Sequence, residues 1–108
     1  PKNSVKEGRM HMLATDCRIS IDPVKTGQNM KTFRKRKGLS VKDVTKALGL
    51  QAPQSVYKWE RGDCLPRIDN FFALCCLYEV APTDLCSFYD KEHADYFRNF
   101  FLVTMKAS

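Results

Sequence analysis

Several features are scarce in this chain of 108 residues, and each scarcity excludes something. No apolar run approaches the ~20 residues of a membrane span, and no secretory pattern is read at the start. The expectation is therefore a cytoplasmic protein with no membrane partner. Histidine is rare: His11 and His93 stand far apart in sequence. The five cysteines, Cys17, Cys64, Cys75, Cys76 and Cys86, are an odd number, and none forms a Cys-x-x-Cys pair. That spacing argues against a zinc site and for free thiols in a reducing compartment. Cys75 and Cys76 would point about 100° apart on a helix, which argues against a vicinal disulfide. Only five glycines are present, with no glycine-rich run to cradle a phosphate. No nucleophile stands beside an evident base, and most carboxylates are accounted for as helix caps. An enzyme, a metal and a cofactor are all unexpected.

What the chain does have is an uneven charge. Residues 1–62 carry fourteen Lys and Arg against five Asp and Glu, net +9, while residues 63–108 carry four against seven, net −3. A basic half of this kind points to a polyanionic partner.

The centre of that half is Leu39–Gly62, which reads as two short helices joined by a tight turn. Ser40 is a good N-cap, with Asp43 placed to reach back and Leu39 and Val44 placed to clip together. Val41, Val44 and Leu48 share one face, and Gly49 can end that helix in the left-handed conformation. Pro53 suits the first turn of the next helix, over about 53–61. Val56 and Trp59 point inward. Gln54, Tyr57, Lys58 and Arg61 fall on the opposite side, and Glu60 lies beside the buried face. Gly62 closes the helix.

These residues resemble the Cro/repressor-type, or XRE-like, helix-turn-helix family. The matching blocks are Phe33-Arg34, Gly38-Leu39-Ser40, Leu48-Gly49, Trp59-Glu60-Arg61-Gly62 and Pro66-x-Ile68-x-x-Phe71, in order over residues 24–86. Three departures stand out. The turn is one residue longer, as Leu50-Gln51-Ala52-Pro53 shows; Thr45 replaces a small Ala; and Val41 replaces a Gln that often binds a phosphate.

The resemblance implies an all-α, five-helix repressor-like DNA-binding domain, and a transcriptional regulator of the repressor kind that binds double-stranded DNA in sequence-specific fashion as a homodimer. It places base readers at Pro53, Gln54 and Lys58. Gln54 can pair with adenine, Lys58 with guanine, and Tyr57 can meet a thymine methyl or a phosphate, whereas Pro53 offers only apolar contact. Phosphate contacts are expected at the backbone of Ser40 and Val41 and at Lys42, Ser55, Arg61 and Arg67. The resemblance also pairs Arg34 with Glu60, linking the first helix to the end of the third.

Around the motif, Asp22-Pro23 opens a first helix over about 23–37, with Met30 and Phe33 on its buried face and Lys35, Arg36 and Lys37 in its last turn. A fourth helix is expected over about 67–78, its core face made by Ile68, Phe71, Phe72, Leu74, Cys75 and Tyr78. A short fifth, capped by Thr83, carries Leu85, Cys86 and Phe88. Three regions result: a flexible arm at 1–21, a DNA-binding domain at 22–88 and a helical tail at 89–108. The arm holds Lys2, Lys6, Arg9 and Arg18, and contact with DNA is one reading of it. The tail repeats Tyr96, Phe97, Phe100, Phe101 and Met105 at helical spacing, as an additional C-terminal helix. It either packs on its own domain or joins a second copy. Two alternatives remain at this stage. One is a DNA-binding antitoxin whose tail holds a small protein partner; the other is a protein-interaction module on the same fold.

Overall fold

The computed structural model describes residues 19–89. The expected arm up to residue 18 and the sixth helix and aromatic stripe from residue 90 onward lie outside the described residues. Within them the fold is all-helical, with five helices: α1 (Pro23–Arg36), α2 (Val41–Ala47), α3 (Gln54–Arg61), α4 (Ile68–Tyr78) and α5 (Pro82–Leu85).

The caps explain most of the boundaries. Asp22 Oδ1 accepts from the N–H groups of Val24 and Lys25, both at 3.1 Å, and Pro23 fills the next position, where a missing N–H costs nothing. A full capping box starts α2: Asp43 N–H donates to Ser40 Oγ at 3.0 Å, and Ser40 N–H donates to Asp43 Oδ2 at 2.8 Å. Two caps differ from the sequence reading. Pro53 precedes α3 as its cap rather than opening it. Thr83 lies inside α5, and the end is held instead by the carboxylate of Asp84, which accepts from Ala81 N–H at 3.3 Å.

One core joins the helices: Met30, Val41, Val44, Val56, Trp59, Leu74, Cys75, Tyr78 and Leu85, all buried. Not all of the apolar surface of α4 reaches it. Ile68 remains 72% exposed and Phe72 49%, against the expectation that both are core. Leu74, Cys75 and Tyr78 define the buried stripe; at 100° per residue Phe72 and Cys76 drift onto the adjoining face, while Ile68 is exposed as the first residue of the helix.

The tightest packing is α1 on α3, and two glycines permit it. A Cβ on Gly27 would run into the carbonyl oxygens of Trp59 and Glu60, the latter at 2.7 Å. At Gly62 the backbone is left-handed, φ +84°, and a Cβ would also sit 2.7 Å from Val24 Cα. Both ends of the described chain are then clasped to α1. Ser20 and Ile21, assigned above to the arm, pair with the segment after α5 through Asp22 N–H to Ser87 O at 2.7 Å and Tyr89 N–H to Ser20 O at 2.9 Å. Thr26 Oγ1, fully buried, accepts from Ser87 N–H at 2.9 Å, and Asn29 Nδ2 donates to Leu85 O at 3.0 Å and Ser87 Oγ at 2.9 Å.

Candidate nucleic-acid interface

Helix α3 is built to show one face. Val56 and Trp59, three residues apart, are buried in the core. Gln54, Tyr57, Lys58 and Arg61 are exposed, as helical spacing requires of the opposite side. Ser55 and Pro53 are half-buried at the near end. Tyr57 is 48% exposed, a broad apolar-and-hydroxyl surface beside two polar side chains. Gln54 and Lys58 make no side-chain hydrogen bond or ion pair among the described residues.

Ahead of α3 runs the lengthened turn, residues 48–53 between Ala47 and Gln54. It is knitted by Gly49 N–H to Lys46 O at 3.1 Å and Leu50 N–H to Thr45 O at 2.9 Å. Thr45, in place of a small residue, turns its hydroxyl back to donate to Val41 O at 2.8 Å.

Arg34 and Glu60 form an ion pair that links α1 to the end of α3. Nε donates to Oε2 at 2.7 Å and Nη2 to Oε1 at 3.0 Å, while Nη1 donates to Leu39 O at 3.0 Å. The two side chains are only 10% and 7% exposed. The hydrogen bonds to Glu60 raise the Arg34 pKa above its ordinary value, outweighing desolvation, so the guanidinium stays charged. Tyr78 is close enough to this pair for both charges to act on its hydroxyl. Its hydroxyl is buried without a partner among the described residues, and burial pushes its pKa far up.

The expected phosphate contacts divide. Lys42 is exposed on the first turn of α2. Val41 has a buried side chain, so only its backbone N–H can serve. The N–H of Ser40 is not available, because Asp43 already accepts it. That hydrogen bond is also the main reason the Asp43 pKa is lowered, which keeps a negative charge at this helix end. Arg61 and Arg67 are exposed, and each leans on an aspartate: Arg61 Nη2 lies 2.8 Å from Asp63 Oδ2, and Arg67 Nη2 lies 3.3 Å from Asp69 Oδ2.

Sequence reasoning placed Tyr78 in the core of α4, where it is buried, but did not single out Gly27, Thr26 or Asn29. A glycine inside a helical pattern was the one available signal, since it costs stability unless something packs on it. Among the described residues no group of three or more His, Cys, Asp or Glu side chains is placed to hold a metal ion. No helix among them is long and apolar enough to cross a membrane.

A basic helix anchored by Val56 and Trp59, capped by a turn from a second short helix, defines a helix-turn-helix domain. A profile of the helix-turn-helix family matches residues 30–85. The chain belongs to that family, in its XRE-type branch of DNA-binding transcriptional regulators. Among solved structures it is similar to the restriction-modification controller protein C.AhdI from Aeromonas hydrophila. The two are 31% identical over 59% of this chain and 96% of that one, with a TM-score of 0.54. It also shares its fold with the clp gene regulator ClgR from Corynebacterium glutamicum, at 16% identity over 76% of this chain and 81% of that one, TM-score 0.52. No curated protein matches the chain in sequence.

Proposed function

We propose that this chain regulates transcription by laying α3 in the major groove of double-stranded DNA and reading base edges there. In this reading it is a cytoplasmic binding protein rather than an enzyme, and it acts as a repressor by covering a promoter. Residues 22–88 form the reading domain. Gln54 and Lys58 supply the hydrogen bonds that separate one base pair from another, Tyr57 supplies apolar contact or a phosphate bond, and Pro53 adds apolar contact alone. Lys42, Ser55, Arg61, Arg67 and the backbone N–H of Val41 hold the phosphates on either side. C.AhdI, named as a controller protein, supports the regulatory part of this reading.

The observation that carries it is the division of α3 into an inward Val56–Trp59 face and an outward face whose Gln54 and Lys58 have no partner among the described residues. Polar side chains left unpaired on a rigid helix are available to a ligand. The test begins with duplexes selected from a random pool by the full chain. Lys58→Ala should then cost about 1–3 kcal/mol on the selected site and relax preference at one base pair. An equal loss on selected and random DNA would show that Lys58 does not read a base.

A further inference from the structure

Outward side chains on and after α3 fall into two groups. Gln54 and Lys58 are unpaired among the described residues. The two exposed arginines are each paired with an aspartate two residues further on. We propose that Asp63 and Asp69 set the strength of the backbone contact, by holding Arg61 and Arg67 partly away from phosphate. This rests on the reading of those arginines as phosphate contacts.

The geometry at Arg61 is the more complete of the two. Its Nε and Nη2 both donate to one oxygen, Asp63 Oδ2, at 3.0 and 2.8 Å. The carboxylate is the anchored partner. The left-handed Gly62 turns the chain back, and Asp63 N–H bonds to Lys58 O at 2.9 Å, which fixes the residue against the end of α3. The long arginine side chain is the part that must move. A phosphate reaching Arg61 has either to break this pair or to share the guanidinium with a carboxylate of its own sign. Arg67 faces the same competition from Asp69 through a single longer contact of 3.3 Å. Both pairs lie in solvent, with side-chain exposures of 60% and 52% for the first and 82% and 65% for the second, so they open readily. The aspartates weaken the backbone grip without abolishing it, while the base-reading side chains remain unrestrained.

The experiment measures binding of the full chain to its selected duplex and to a random duplex over a range of salt. Asp63→Asn should tighten both complexes by about two- to five-fold, since an exposed pair of this kind is weak. The slope of log affinity against log salt should steepen by up to about 0.9. Asp69→Asn should act in the same direction and less strongly. In the Arg61→Ala background, Asp63→Asn should lose most of its effect. Equal tightening in that background would mean that Asp63 acts as general charge and would overturn the proposal. So would unchanged or weaker binding by Asp63→Asn; the weaker outcome would show a carboxylate that aims Arg61 at phosphate. The reading beneath it is tested separately: Arg61→Ala alone should weaken both complexes and flatten the slope. If it does neither, the phosphate assignment falls and the proposal with it. If it does both while Asp63→Asn is silent, only the proposal falls.

Discussion

Arg34 carries a full charge inside the domain, and removing its partner would leave that charge without compensation. Arg34→Ala or Glu60→Gln should therefore destabilise the fold by about 3–5 kcal/mol, read as a lower thermal or urea midpoint. Replacing both by apolar residues, Arg34→Met with Glu60→Leu, should recover most of that loss, because the desolvation cost disappears with the charges. DNA affinity should not recover in parallel if the pair fixes the tilt of α3, which makes the double variant a separation of stability from reading geometry. A double variant as unstable as either single one would mean that the charges themselves are required.

Cys75 offers a second check at this scale. Burial pushes its thiol from an ordinary value of 9.0 up to about 11. A raised pKa in the folded state means the unfolded chain loses its proton first. The contribution is intact below pH 9 and is lost as pH rises through about 11. Urea midpoints measured between those limits should fall more steeply for the parent chain than for Cys75→Ala. Parallel curves would show that this thiol is not desolvated.

At the scale of elements, the contact that places α3 is its close approach to α1. Gly27 makes that approach possible, and Gly27→Ala drives a methyl into the backbone carbonyls of Trp59 and Glu60, which cannot step aside. Although alanine favours a helix by up to ~1 kcal/mol, the overpacking should win, with a net loss of ~1–3 kcal/mol and a lower melting temperature. A rise in melting temperature would show that the helices are not in contact there. Much of this architecture was legible beforehand because it depends on local chemistry. Asp22, Ser40 and Asp43 announce helix starts, and Val56 and Trp59 at three-residue spacing announce an inward face, all within a few residues of chain. The positions that escaped depend on partners far away in sequence. Thr26 and Asn29 look like ordinary helix residues until residues 85–87 come to lie against them. The outward turn of Ile68 and Phe72 was hidden for a related reason: eleven residues of mostly apolar α4 do not reveal which part of the surface other helices will cover. The spent N–H of Ser40 was in principle readable, since the same Asp43 that marks a capping box consumes that donor.

For the whole molecule, the open question is how one reading helix becomes a selective regulator. A single eight-residue helix touches few base pairs, and two copies on half-sites one helical turn apart square the demand on sequence. Among the described residues, the exposed apolar face of α4 is a candidate surface for a second copy. Ile68 is 72% exposed, Phe72 49% and Leu65, just ahead of the helix, 40%. Apolar side chains gathered in this way favour burial, and a stable dimer needs roughly 800 Å² from each partner. The α4 stripe would supply the apolar centre of such a patch. Ile68→Asp tests it cleanly, because so exposed a residue contributes little to the fold, and the melting transition of the isolated domain should move by less than ~0.5 kcal/mol. Sedimentation should show the variant shifted toward monomer. Affinity for a site with two half-sites should drop well below that of the parent chain, while affinity for one half-site stays close to it. A variant that remains dimeric, or that loses both affinities equally, would place the interface elsewhere on the molecule.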